Sequence, residues 1–364
     1  MATSFNPEPL SVAMEEYKAV FSPDWKHRTL AKYDAEFRDF LAWLLLERRP
    51  ATTASLDFAT LLAYVGFLKA KPAVRGIWRG DPIAVARAAA TSTTPRSFNT
   101  VGASMRSIRA FVLWLFEDGR IAANPFATKN RRGGQNPLIP RSDTPTKSAT
   151  LGDIEALERG CAGRTPLDLR DQAIVSILKT TGARNMSVRL LRLDDVDMDR
   201  NVVTFVMAKS DRTYEVALHP ESKAAIVRYL SRGRPRLLPH YPVRGLESVG
   251  RGDEDAARHL FLARDNGASD VVGPLTTNGL SEMLTRRYHA GGGTILHFGS
   301  HRIRHGTATL LANNGMGLEE LARHLGHSST KVTQRYAPQT AEAIGRYAYS
   351  AMRDSGLTKA PRRR

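Results

Sequence analysis

The stretch His301-Arg302-Ile303-Arg304-His305, with Leu325-Gly326-His327 and Tyr336 downstream of it, carries the reading of this chain. Two arginine-flanked histidines, a Gly-His turn and a late tyrosine fall between positions 301 and 336, inside a strongly basic sequence. That set suits attack on a phosphodiester. Moving such a group between alcohols without a metal takes a nucleophile, an acid for the leaving oxygen, and cationic donors around the non-bridging oxygens. Arginine fits the last task because its planar fork offers two parallel charge-assisted hydrogen bonds and keeps its charge. Arg304 is one such donor. Arg184, in Thr181-Gly182-Ala183-Arg184, is the expected second, set just after a helix where Gly182 gives the backbone room.

Composition agrees with a polyanionic partner. The chain has 364 residues, more than one hydrophobic core usually supports, and its 42% apolar content is ample for two. A formal charge of +17 favours nucleic acid, since clustered Lys and Arg release counterions when they neutralise phosphates. The apolar run Phe40-Leu41-Ala42-Trp43-Leu44-Leu45-Leu46 is far shorter than the roughly 20 residues a bilayer requires. The N-terminus lacks a basic segment followed by an apolar one, so a cytoplasmic protein with no membrane partner is expected. Cys161 is the only cysteine, which excludes an internal disulfide and a cysteine-based zinc site and reads as a buried thiol. His301 and His305 stand four apart, but Arg302 occupies the place where a zinc metalloprotease helix has its glutamate. No metal or other cofactor is expected.

Periodicity predicts a mainly α chain with a small β-sheet. Leu30, Tyr33, Phe37, Phe40, Leu41 and Leu44 recur at helical spacing after Ser22-Pro23-Asp24. Further helices fit Phe58 to Lys69 and Phe98 to Glu117, the latter with the stripe Val101, Met105, Ile108, Val112 and Leu115 and with Gly119 at its end. The segment 71–95 resists assignment. After Asn124-Pro125-Phe126 the sequence turns basic and breaker-rich, through Arg131, Arg132, Pro137 and Lys147, which reads as a linker at 128–148 between domains at 1–127 and 149–364. Arg131, Arg132 and Lys147 are candidate phosphate contacts. Thr150 to Leu157 is a capped helix start, Pro166 to Thr180 a helix, and Val202 to Met207 and Tyr214 to Leu218 two strands joined by a polar turn. Residues 231–268 are loop-rich, and helical patterns dominate from Leu275 onward.

These motifs resemble the tyrosine recombinase, or phage integrase-like, family across nearly the whole chain. The apolar helix Ala173 to Thr180 followed by Thr181-Gly182-Ala183-Arg184 matches its first signature, and His301-Arg302-Ile303-Arg304-His305, Leu325-Gly326-His327 and Tyr336 match its second. The spacings of 23 residues from Arg304 to His327 and nine from His327 to Tyr336 are as in the family. The resemblance implies a helical N-terminal core-binding domain and a mixed α/β catalytic domain. It also implies roles. Tyr336 attacks the scissile phosphate to leave a 3′-phosphotyrosyl link and a free 5′-hydroxyl. Lys209, in the turn between the strands, protonates the leaving oxygen; His301 acts in proton transfer at the nucleophile; Arg184, Arg304 and His327 hold the phosphate oxygens. No cofactor is consumed. The partners implied are double-stranded DNA with specific recombination sites, accessory proteins, and three further copies in a tetramer on DNA. A helix at 340–352 would dock on a neighbouring copy, and it accounts better for Tyr347 and Tyr349 than a nucleophilic role does.

One position departs from the pattern, because Ser187 stands where the family usually has an acidic residue. Its hydroxyl can still accept one hydrogen bond, and Asp194 or Asp195 could supply the support instead. Taken singly, Arg184 could be a helix cap, Lys209 a turn lysine with Arg212 as its rival, and Tyr336 a packing tyrosine; their conjunction in order and spacing is what decides. Integration or excision of a mobile element is the expected setting. Resolution of chromosome dimers, a type IB-like topoisomerase and a non-catalytic DNA-binding protein are the alternatives.

Overall fold

The computed structural model describes residues 6–70, 95–127, 136–141, 147–207, 212–237, 258–264 and 272–336. The chain divides into two compact units, Met1–Thr144 and Pro145–Arg364. In the first, α1 (Leu10–Phe21), α2 (His27–Leu46), α3 (Phe58–Ala70) and α4 (Phe98–Glu117) enclose one core. Helix α4 forms where its stripe predicts: Val101, Met105, Ile108, Val112 and Leu115 are all fully buried. Each such side chain contributes about 1.5–3 kcal/mol through burial. Ser97 caps the helix by accepting from the Thr100 backbone N–H at 3.2 Å.

Helix α1 was not anticipated, although Leu10, Ala13, Met14 and Tyr17 follow helical spacing and are buried. Its start is pinned by backbone hydrogen bonds from Leu10 to Ala51 and from Thr53 to Glu8, both 2.9 Å. Tyr17 then sits among Phe21, Trp25, Tyr33, Phe37, Phe111 and Trp114, which ties α1 to α2 and α4.

In the second unit, α5 (Leu151–Gly160) and α6 (Pro166–Thr181) each open on a capping box, Thr150 with Asp153 and Thr165 with Asp168. Helix α6 buries Ala173, Ile174, Val175, Ile177 and Leu178, so it runs through the core rather than along it. After α7 (Asn185–Arg189), strands β1 (Val196–Asp197), β2 (Val202–Val206) and β3 (Thr213–Ala217) form an antiparallel sheet in that order. Phe205 pairs with Tyr214 and Val203 with Val216. Within 231–268 the described residues are not all loop. Helix α8 (Pro220–Arg228) passes through a wide turn at Tyr229–Gly233 into α9 (Arg234–Leu237), and β4 (Leu262–Arg264) pairs with β5 (Val272–Pro274). The remainder is α10 (Thr277–Ala290), α11 (Ser300–Asn313), α12 (Leu318–His324), α13 (Thr330–Thr333) and a tight turn at Gln334–Tyr336.

A buried ionic cluster joins α6 to α10. Asp171, with no exposure, accepts from Arg170 at 2.6 Å and from Arg287 at 2.8 Å, and Arg287 also reaches Asp168 at 2.6 Å. A satellite core of Ala308, Ala312, Leu321, Leu325 and Tyr336 clamps α11, α12 and the final turn together. Among the described residues, no helix is long and apolar enough to cross a membrane.

Candidate active site

Five of the six expected site residues lie in the described second unit, and the fold joins Arg184, Arg304 and His327 in one hydrogen-bonded cluster. Arg184 follows α6, and its position depends on the turn before it. Gly182 adopts φ +60°, the left-handed conformation that glycine adopts at least cost, and its N–H closes the helix on the Leu178 carbonyl. The Gly182 carbonyl then accepts from Arg304 Nη1 at 2.7 Å.

The Leu325-Gly326-His327 turn provides the remaining acceptors. Arg304 Nη2 donates to the Leu325 carbonyl at 2.8 Å, and Arg184 Nη1 donates to the Gly326 carbonyl at 3.3 Å. Gly326 needs to be glycine on two counts: its φ is +62°, and a Cβ there would lie 2.6 Å from the ring of Tyr214 on β3. The two sequence signatures, more than a hundred residues apart, thus meet through backbone carbonyls and two guanidinium groups.

Arg304 also lies 2.7 Å from His327 Nε2. Because arginine only donates, that nitrogen accepts, so the His327 proton sits on Nδ1, where it is donated to Thr333 Oγ1 at 2.8 Å. Burial, followed by the positive charges of Arg304 and Arg184, pushes the His327 pKa down to about 4. Arg304 itself is 4% exposed, and burial with Arg184 beside it lowers its pKa to about 10. Among the described residues neither arginine forms an ion pair with a carboxylate. A buried guanidinium held by neutral carbonyls is costly unless an anion completes it.

Tyr336 is 7% exposed and packed in the satellite core, with its hydroxyl 2.5 Å from Nδ1 of His305. Burial raises its pKa, and Arg304, Arg335 and Arg184 oppose the rise. Burial, then Arg335, His301 and Arg304, push the His305 pKa down to about 4. His301, one turn earlier on α11, is exposed and bonds neither Tyr336 nor His305 among the described residues. Partial desolvation of its ring, then the charges of Arg304 and Arg184, depress its pKa too. Lys209, Arg131, Arg132 and the segment 340–352 with Tyr347 and Tyr349 lie outside the described residues; Lys147 is exposed.

Residues 152–343 match the sequence model of the phage integrase family, more than half of the chain. The chain belongs to the phage integrase family. Among relatives of this chain, the tyrosine recombinase XerD of Lacticaseibacillus casei is 27% identical over 314 residues, covering 85% of this chain and 86% of that protein. The tyrosine recombinase XerC of Bacillus pumilus is 27% identical over 247 residues, 67% of this chain and 72% of that one. The fold is similar to that of the Tn1549 transposon integrase in complex with a circular intermediate DNA, with a TM-score of 0.64 at 17% identity over 94% of this chain and 99% of that one. It is also similar to a lambda integrase dimer bound to a core site, with a TM-score of 0.55 at 14% identity over 92% and 79%. Its enzymatic class is that of the site-specific tyrosine recombinases.

The geometry adds residues to which sequence reasoning gave no role in the site. His305 holds the Tyr336 hydroxyl and Thr333 fixes the His327 tautomer. Tyr214 is the third. Among the described residues its buried hydroxyl completes no hydrogen bond of good geometry, and Arg304, Arg184 and Ser187 lie close enough to oppose the rise in its pKa that burial causes. The Ser187 hydroxyl donates to the Val206 carbonyl at 3.2 Å, which leaves its oxygen able to accept. Asp194 and Asp195 are engaged elsewhere, Asp194 with Arg258 at 2.8 Å and Asp195 with the Arg192 backbone N–H at 2.8 Å.

Proposed function

We propose that this recombinase cuts and rejoins double-stranded DNA at specific sites through a 3′-phosphotyrosyl intermediate on Tyr336, and that it integrates or excises a mobile element. The observation that carries the reading is the buried Arg304 and the half-buried Arg184, both held by backbone carbonyls, beside the hydroxyl of Tyr336. A phosphodiester entering this site would meet two guanidinium forks whose neutral carbonyl partners leave their charge uncompensated. Tyr336 Oη attacks phosphorus as the bond to the 5′-oxygen breaks. Lys209 donates a proton to that oxygen, Arg184, Arg304 and His327 hold the non-bridging oxygens, and the nucleophile's proton passes to a histidine of the 301–305 motif. The phosphotyrosyl ester conserves the bond energy for attack by another 5′-hydroxyl, so no cofactor is consumed.

Exchange between two duplexes requires four active sites. A lambda integrase tetramer bound to a Holliday junction has a similar fold, with a TM-score of 0.56 at 12% identity. We assign this chain the same order of assembly on DNA, with segment 340–352 docking on a neighbouring copy and accessory proteins assisting.

The test is covalent trapping. Wild-type protein and Tyr336→Phe are incubated with a nicked suicide duplex drawn from the flanks of the gene's own locus. A denaturation-resistant adduct is expected from the wild type alone. Adducts from both proteins would assign the nucleophile elsewhere, and tight binding without any adduct would favour a DNA-binding role.

A further inference from the structure

The hydroxyl of Tyr336 is already engaged, and its partner is not a residue to which the family motifs give a role in proton transfer. It lies 2.5 Å from His305 Nδ1, with the two ring centroids 5.5 Å apart. We infer that His305 is the residue that accepts the proton of Tyr336 as the phenol attacks phosphorus, an inference that rests on Tyr336 being the nucleophile.

The charges around the contact set the protonation of both partners. His305 is held neutral near pH 7 by burial and by Arg335, His301 and Arg304, whereas burial keeps the phenol protonated. With the imidazole proton on Nε2, the phenol donates and Nδ1 accepts, and this is the tautomer the proton transfer uses. In the cleavage step the bond from Tyr336 Oη to phosphorus forms and the bond from phosphorus to the 5′-oxygen breaks. The phenolic proton passes to Nδ1 and leaves an imidazolium, while the 5′-oxygen takes its proton from a separate acid. In rejoining, a 5′-hydroxyl attacks and returns its proton to the conjugate base of that acid, Tyr336 Oη leaves, and Nδ1 returns the phenolic proton to it. Atoms and charge balance over the cycle, and His305 ends as it began.

The same charges that keep His305 neutral also make it a weak base, so the proton moves only as the new bond forms. A bound phosphodiester offsets Arg304 and Arg335 with its own negative charge, which raises the basicity of His305 at the moment it is needed. His301 is placed differently. It is exposed, has no bond to Tyr336 among the described residues, and feels Arg304 and Arg184 rather than Arg335. That leaves His305, and not His301, in contact with the phenol.

Single-turnover adduct formation on the suicide duplex tests the assignment, using wild type, His305→Asn, His305→Gln and His301→Asn. The amide oxygen of Asn or Gln can keep the hydrogen bond from the phenol but cannot take its proton. Either folded amide variant, checked by thermal melting, is expected to bind the duplex like wild type and to form adduct about 100-fold more slowly. Placing 3-fluorotyrosine at position 336 makes the nucleophile more acidic and should recover much of the loss at His305, leaving His301→Asn unaided. Wild-type cleavage rates in the amide variants, or a fluorotyrosine rescue confined to His301→Asn, would overturn the inference. Absence of adduct from the wild type would instead remove the proposed function, and this role for His305 with it.

Discussion

At the residue scale, the site stores two uncharged imidazoles among fixed positive charges. His305 and His327 each have a pKa pushed from 6.5 down to about 4 in the folded chain, by burial first and neighbouring arginines second. The unfolded chain, with ordinary histidines, takes up protons first as pH falls. The stability these residues contribute is therefore complete above pH 6.5 and drains away between 6.5 and 4. After solvent screening we expect a loss of about 2 kcal/mol for the pair. Urea melts of DNA-free protein at a series of pH values should show this decline, and it should flatten in His305→Asn/His327→Asn, where carboxylate titration remains as background. An identical decline in that variant would mean the two imidazoles are not the groups being charged. The roles the sequence offers and the contacts the fold makes diverge at this scale. Arg184, Arg304 and His327 were legible because each sits in a short motif of fixed order. The partnership of His305 with Tyr336 was not, since no spacing rule links residues 31 apart across two helices and a turn.

At the element scale, the site depends on how α6 ends and how the turn after α12 is shaped. Gly182 holds φ +60°, and a Cβ on it would come within 2.9 Å of Leu325 Cδ2, the residue whose carbonyl anchors Arg304. Gly182→Ala combines a left-handed backbone penalty of about 1–2 kcal/mol with pressure on that turn. Thermal melting should register the destabilisation. Adduct formation should fall by more than the folded fraction does, because the Gly182 and Leu325 carbonyls orient the same guanidinium. A rate that tracks only the folded fraction would show that the turn tolerates the strain. Elements were read well where local signals agreed: α4 begins and ends at Phe98 and Glu117 as its stripe predicts, and the two capping boxes mark α5 and α6. Reading failed where tertiary contacts supply the reason. β1 has two residues and exists by pairing with β2, and α9 and β4 break a stretch whose sequence offers mainly loop signals.

At the scale of the whole molecule, charge sets the terms on which DNA is held. A formal charge of +17 on 364 residues predicts affinity that falls steeply with salt, and the basic stretch at 128–148 is the place to locate part of that dependence. The two compact units divide at Thr144 and Pro145, within that stretch, and Lys147 at the start of the second unit is exposed. If Arg131, Arg132 and Lys147 each neutralise one phosphate, replacing all three with alanine removes about 0.9 from the slope of log affinity against log salt per contact, about 2.7 in total. Fluorescence anisotropy of a labelled duplex at a series of salt concentrations measures that slope directly. Tyr336→Phe, which keeps every cation, should retain the wild-type slope, and the triple variant should lose affinity most at low salt and least at high salt, on cognate and unrelated duplexes alike. A slope unchanged in the triple variant would move the phosphate contacts out of this stretch and onto the folded surfaces of the two units, whereas a loss confined to the cognate duplex would make these three residues readers of sequence rather than of backbone.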